Sequence, residues 1–179
     1  MGPGLRRPRG PRQWTRNRRE TTTVSGAMEA RRIVIEEGPA VPWDGLLLGW
    51  GAMVPFPVLA IAAWLAGPDL AALAARGAVL WGAAILLFFS GVRRGLSFRT
   101  EGGPRPAQLA MFALLFSTGL GALVLPAPWP VPLLLVGFVA VWTLDPVAAR
   151  AGEAPLYFAR LRPWQMAVPV ASLVAVALA

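Results

Sequence analysis

The amino-acid sequence predicts an all-α integral membrane protein, a bundle of five transmembrane helices with a disordered basic N-terminal segment. Two observations support this fold class. Only 15% of the 179 residues are charged and 56% are hydrophobic, whereas a soluble domain carries about 25% charged residues. The apolar residues also form uninterrupted blocks close to the roughly 20 residues that one membrane-spanning helix needs. The bilayer is therefore the expected solvent for most of the chain.

The first element is an Arg-rich segment over residues 1–41. Nine of the 17 basic residues, all of them Arg, precede position 33. The segment has almost no apolar periodicity, so it cannot bury enough surface to fold alone, and it is predicted to be disordered. Met28 is an alternative start of the chain, and a targeting peptide is a third interpretation that the early prolines disfavour. Residues 42–179 form the predicted transmembrane domain.

Five apolar blocks follow this segment. The predicted spans are residues 46–66, 77–96, 108–125, 131–144 and 164–179. Pro55 and Pro57 interrupt the first span and predict a kink or local unwinding there. The link between the third and fourth spans is so short that these two spans should form an antiparallel hairpin.

The loops predict the orientation, because short Arg-rich loops stay on the cytoplasmic side of a membrane. The two other interhelical connections hold only Asp69 and Arg76 between them. Every second connection is therefore basic, which predicts five spans with the N-terminus in the cytoplasm and the C-terminus outside. The loops after spans two and four carry the basic residues, namely Arg93, Arg94, Arg99, Arg105, Arg150, Arg160 and Arg162.

The absence of two residue types excludes several kinds of chemistry. The sequence contains neither Cys nor His, which removes thiolate nucleophiles, the usual zinc sites and His-based proton transfer. We therefore expect no enzymatic activity, no catalytic residues, no cofactor and no bound metal. An intramembrane enzyme would need paired polar groups such as Asp145 with Tyr157. No charged residue lies in the middle of a predicted span, which disfavours an ion-coupled transporter.

Small residues at four-residue spacing predict helix contacts, because they let membrane helices approach closely. The default expectation is packing within one chain, and contact between copies in a homo-oligomer remains the alternative. The glycines predicted to pack are Gly45 and Gly49 in span one, Gly91 and Gly95 in span two, and Gly121 in span three.

Paired Arg residues stand where span two meets the cytoplasm. Arg93 and Arg94 could bind a lipid phosphate or a carboxylate of a partner, as could Arg99, Arg160 and Arg162. The favoured interpretation of the pair is a stop-transfer anchor. An excess of basic over acidic residues beside apolar spans is typical of contact with anionic lipids. Membrane lipids are therefore the expected partners, and nucleic acid is not expected.

Four residue runs along the hydrophobic part of the chain are distinctive. They are Gly49-Trp-Gly-Ala-Met-Val-Pro-Phe56, Leu87-Phe-Phe-Ser-Gly-Val-Arg-Arg-Gly-Leu96, Leu144-Asp-Pro-Val-Ala-Ala-Arg150 and Pro155-Leu-Tyr-Phe-Ala-Arg-Leu-Arg162. In this order they resemble the transmembrane-protein-69-like family, a bacterial and mitochondrial multi-pass membrane domain of unknown function 3429. The resemblance covers residues 42–179 and implies five spans and an inner-membrane location, with no catalytic residues to carry over. Arg93 and Arg94 stand where the family pattern has His and Trp, whereas Tyr157, Leu161 and Arg162 match it.

These observations favour a non-catalytic, multi-pass inner-membrane protein. Its expected role is an interaction, assembly or accessory subunit of another inner-membrane protein complex, because it lacks reactive residues and its loops are too short to form a soluble domain. The alternative is a small oligomeric transporter or channel. The proline breaks in span one motivate that alternative, since interrupted helices often line binding sites.

Overall fold

The computed structural model describes residues 43–100, 103–151 and 158–179 of the chain. The predicted disordered segment and the alternative start at Met28 lie outside the described residues. Every regular element in the described ranges is an α-helix. In chain order they are α1 (Trp43–Gly51), α2 (Pro55–Leu65), α3 (Pro68–Ser97), α4 (Pro106–Val124), α5 (Pro130–Arg150) and α6 (Phe158–Leu178).

Five stretches of these helices are long and apolar enough to cross a membrane, which confirms the predicted fold class. The helices α1 and α2 together supply the first of them, Leu46–Leu65, and each remaining helix supplies one. Their mean hydropathy ranges from 1.4 to 2.0. The chain is thus a multi-pass membrane protein.

Three helices continue beyond the predicted spans. The helix α3 has 30 residues and already starts at Pro68, where proline suits a first helical position. The helix α5 continues through Pro146 to Arg150, and α6 begins at Phe158. Each apolar block ends at the first polar residue, but the backbone hydrogen bonds of the helix continue past that residue. Consequently Arg93, Asp145 and Arg162 belong to helices and not to loops.

The first span is interrupted between α1 and α2, as the prolines predict. The backbone N–H of Phe56 donates to the carbonyl oxygen of Met53 at 3.2 Å, one residue short of the α-helical partner Ala52. The indole Nε1 of Trp81 in α3 donates to the carbonyl oxygen of Ala52 at 2.9 Å. A side chain of a neighbouring helix therefore satisfies a carbonyl group at the break.

The centre of the bundle is filled by aromatic and aliphatic side chains. Phe56 of α2 and Phe138 of α5 pack edge to face, with ring centroids 5.5 Å apart, an arrangement that the aromatic quadrupole favours. Leu86, Leu115 and Leu134 are fully buried beside them. The helix α3 contacts α2, α4, α5 and α6, so it is the central helix of the bundle. The predicted neighbours α4 and α5 are also in contact.

The alternation of the five spans brings five helix termini to one end of the bundle. The helices α3 and α5 end there, and α1, α4 and α6 begin there. We call this the basic end, and its Arg residues are Arg93, Arg94, Arg99, Arg105, Arg150, Arg160 and Arg162. At the opposite end, Asp69 and Arg76 are exposed in the first part of α3. The two ends therefore differ strongly in charge.

Candidate functional site

A buried network of charged side chains joins three helices at the basic end. The guanidinium group of Arg93 in α3 donates to the carboxylate of Asp145 in α5. The Nε atom of Arg162 in α6 lies 3.4 Å from the second carboxylate oxygen of Asp145. The exposed fractions of Arg93, Asp145 and Arg162 are only 6%, 4% and 9%. One carboxylate thus holds two guanidinium groups, and with them the ends of α3, α5 and α6.

Two aromatic rings complete the surroundings of Arg162. Its guanidinium carbon lies 4.2 Å from the ring centroid of Phe89 and 4.5 Å from that of Phe158. Both distances are within the range of cation–π attraction, which strengthens when the cation is removed from water. The rings and Asp145 therefore fix the position of this guanidinium at the margin of the apolar bundle.

Beside this network, a groove with a volume of about 930 Å³ opens between helices. We call it the lateral groove. Its walls come from α1, the break before α2, α3 and α6, and they are almost entirely apolar. Two of its lining side chains are strongly polar: Arg162 carries a charge and Gln165 an amide group. The lining residues are Leu47, Leu48, Gly49, Gly51, Ala52, Met53, Pro55, Trp81, Ile85, Phe88, Phe89, Val92, Phe158, Leu161, Arg162 and Gln165.

Gln165 is the most unusual residue of the groove. It is only 2% exposed, and its Nε2 atom has no hydrogen-bond acceptor among the residues that the structure describes. Gly49 faces it from α1, and a Cβ atom placed on Gly49 would lie 2.5 Å from Nε2. The missing side chain at Gly49 therefore makes room for the amide group of Gln165.

The predicted Arg contacts fall into two groups. Arg93 is buried against Asp145 and is therefore not exposed for the predicted contact with a lipid phosphate or with a carboxylate of a partner. Arg162 is likewise buried in the network. The side chain of Arg94 is half-buried, stacks over Phe98 with 4.1 Å to the ring centroid and donates to Ser97 at 3.1 Å. Of the five predicted Arg contacts, only Arg99 and Arg160 are exposed and can offer a new contact at the surface.

Some of the glycines predicted to pack lie against a neighbouring helix, and others do not. A Cβ atom on Gly121 would lie 3.0 Å from a side-chain carbon of Leu133, so α4 approaches α5 closely there. No described atom lies within 4 Å of a Cβ placed on Gly91 or Gly95, and both are exposed. The prediction that α3 packs through these two glycines is therefore wrong for the described part of the chain, because they lie on the outward face of the helix. Gly45 lies in α1, but its surroundings are outside the described residues.

Sequence reasoning missed Asp145 as a member of a charged network and did not single out Gln165. The predicted fourth span ends at residue 144, just before Asp145, and the pairing of Asp145 with Tyr157 cannot be described, since Tyr157 lies outside the described residues. One feature of the sequence could have identified both residues. Each is a strongly polar side chain next to or inside an apolar stretch, a position where a polar group requires a partner.

The network can hold charge but offers little chemistry. Within the described ranges, no group of three or more His, Cys, Asp or Glu side chains is arranged to hold a metal ion. The side chains that meet at the network are a carboxylate, two guanidinium groups and aromatic rings. Such groups fix helices and attract anions or hydrogen-bond acceptors. The arrangement therefore suits the joining of helices and the binding of such groups.

Comparisons with known proteins identify one relationship. A family model described as a protein of unknown function (DUF3429) matches residues 41–178. Comparisons with curated proteins and with solved structures find no significant match. The matched range includes both the charged network and the lateral groove.

Proposed function

We propose a function for this chain, which belongs to DUF3429, a family of proteins of unknown function. The chain acts as a non-catalytic accessory or assembly subunit of a larger membrane complex. It resides in the bacterial inner membrane with the basic end in the cytoplasm. The narrower kinship with transmembrane-protein-69-like proteins, suggested by the four residue runs above, is part of the same proposal.

Exposed Arg residues on fixed helix ends support this function. Arg99, Arg150 and Arg160 are exposed at the basic end, beside the ends of α3, α5 and α6 that the buried network ties together. Guanidinium groups pair well with carboxylates, particularly through two parallel hydrogen bonds. A rigid surface of this composition suits an acidic segment of another membrane protein.

The test is purification of the tagged full chain from its native membrane in a mild detergent. Proteins that remain bound are identified and their stoichiometry is measured by mass spectrometry. The variant carries Arg99→Gln, Arg150→Gln and Arg160→Gln together, and Arg76→Gln is the control, since Arg76 is exposed near the opposite end.

We expect a stoichiometric partner with the wild-type chain and with the control, and its loss with the triple variant. A partner that stays bound to the triple variant would place the contact elsewhere. A chain without any stoichiometric partner would contradict the accessory function.

A second candidate function, a small oligomeric transporter or channel, has one observation in its favour. Ionisable side chains are buried inside the bundle, and polar networks of this kind mark ion pathways in transporters. Proton and potassium flux into liposomes containing the purified chain would reveal this activity. The Asp145→Asn variant should then change the flux, whereas a rate equal to that of protein-free liposomes would exclude transport of these ions.

A further inference from the structure

We propose that the lateral groove binds one anionic phospholipid from the membrane leaflet at the basic end. The phosphate and ester oxygens of the lipid lie beside Gln165 and Arg162, and an acyl chain lies along the apolar wall of α3. This site is independent of the protein partner proposed above, because it lies between helices and not on the exposed Arg surface.

The length of the groove matches one leaflet. Along α3 its lining extends from Trp81 to Val92, which corresponds to about 16 Å at the helical rise of 1.5 Å per residue. Half of the roughly 30 Å hydrocarbon core is about 15 Å. Val92 and Phe158 lie toward the basic end, so the groove runs from that membrane surface toward the bilayer centre. A lipid of that leaflet has the same extent and direction.

The chemistry of the groove also changes along its length. Its inner part is lined by apolar side chains such as Ile85, Phe88 and Met53, and Phe88 is 64% exposed at the margin. Arg162 and Gln165 line the part nearer the basic end. An amphiphile with an apolar tail and a polar head fits this order, with its head toward the basic end.

The unpartnered amide of Gln165 identifies the kind of head group. Its buried Nε2 atom is a donor that requires an acceptor, and leaving such a donor unsatisfied is unfavourable. An ionised phosphate is a stronger acceptor than the backbone carbonyl of a partner helix, which already accepts one hydrogen bond within its own helix. Ester and phosphate oxygens of a phospholipid are acceptors, and they lie at the membrane surface where the groove has its polar part.

The charge of the surrounding loops favours an anionic head group over a zwitterionic one. In the sequence, the helix ends at the basic end and the connections between them contain seven Arg residues but only four acidic ones, Asp44, Glu101, Asp145 and Glu153. Basic clusters next to membrane spans attract anionic lipids. Among the head groups present in a bilayer, an anionic phosphodiester therefore fits both the donor and the charge.

The test is native mass spectrometry of the purified full chain in detergent with phosphatidylglycerol or phosphatidylcholine of identical acyl chains. We expect one phosphatidylglycerol per chain, bound about tenfold more tightly than phosphatidylcholine, a difference of about 1.4 kcal/mol. Inorganic phosphate should not compete, because it lacks the acyl chain. Equal binding of the two lipids, or competition by phosphate alone, would overturn the proposal.

Two glycines provide a matched pair of variants. A Cβ atom on either Gly51 or Gly91 meets open space, but only Gly51 lines the groove. We expect Gly51→Trp to fill the groove and weaken phosphatidylglycerol binding by about tenfold or more, and Gly91→Trp to leave it unchanged. Gly51→Leu is the milder variant if the larger side chain prevents folding.

Gln165→Leu tests the polar end of the site. Losing one hydrogen bond to a charged group should weaken the binding of phosphatidylglycerol by about tenfold, and that of phosphatidylcholine by a similar factor, because both lipids carry the phosphate and ester oxygens that accept from Gln165. Unchanged lipid binding in both the Gly51 and Gln165 variants would overturn the site. That result would leave the accessory function intact, because these measurements contain no protein partner and retain the exposed Arg residues.

Discussion

At the scale of single residues, the charged network shows how a membrane bundle tolerates buried charges. Arg93 and Asp145 are 52 positions apart, so nothing in the local sequence of either residue reveals the other. Each charge alone would be unfavourable in a medium of low dielectric constant. Paired with each other and with Arg162, they fasten three helices, and removing one member leaves the others without compensation.

Asp145→Asn should destabilise the fold strongly. The substitution retains the size of the side chain but removes the charge that both guanidinium groups contact. Breaking a buried ion pair by removing one partner costs about 3–5 kcal/mol, so the midpoint of thermal unfolding in detergent micelles should fall. Asp69→Asn is the control, since Asp69 is exposed, and it should change stability by less than about 0.5 kcal/mol. Equal midpoints for the two variants would show that the network is not a stabilising clamp.

At the scale of helices, small residues determine how closely α3, α4 and α5 approach. A Cβ atom on Gly137 of α5 would overlap the side chain of Leu86 in α3 and that of Thr118 in α4. A Cβ atom on Gly119 would lie 3.2 Å from the carbonyl oxygen of Ala83. These contacts, and not those at Gly91 and Gly95, form the close-packed faces of the bundle.

Gly137→Ala should therefore loosen the contact among three helices. Excess volume in a packed interior typically costs about 1–3 kcal/mol. In contrast, Gly91→Ala introduces its methyl group into open space within a helix and should stabilise the fold by about 0.5–1 kcal/mol, because Ala favours a helix interior over Gly. Resistance of the two purified variants to unfolding by sodium dodecyl sulfate would measure the difference. If both variants unfolded at the same detergent fraction, the close approach at Gly137 would not limit stability.

At the scale of the whole molecule, the charge difference between its two ends predicts orientation. The basic end combines the exposed Arg residues with the polar part of the lateral groove, so a protein partner and a bound lipid would meet on the same membrane surface. Short basic loops are retained in the cytoplasm. The opposite end, with Asp69 and Arg76, should face outward.

Cysteine labelling can measure this orientation, because the native sequence contains no Cys. We expect Asp69→Cys to react with a membrane-impermeant maleimide on intact cells. Arg99→Cys should react only after the membrane is permeabilised, since it lies at the basic end. The reverse labelling pattern would show that the basic end faces outward and would contradict the proposed cytoplasmic contact.

The sequence by itself determined the class of fold, the number of spans and the break at Pro55 and Pro57. These properties follow from hydropathy and from the backbone donors that proline lacks, and both are local. Only the tertiary structure decided that Arg93 is buried, that Asp145 and Arg162 lie beside it, and that Gln165 packs against Gly49 in the wall of a groove. Such contacts depend on which faces of distant helices meet. The rotation of each helix about its own axis determines those faces, and the packing of the whole bundle determines that rotation.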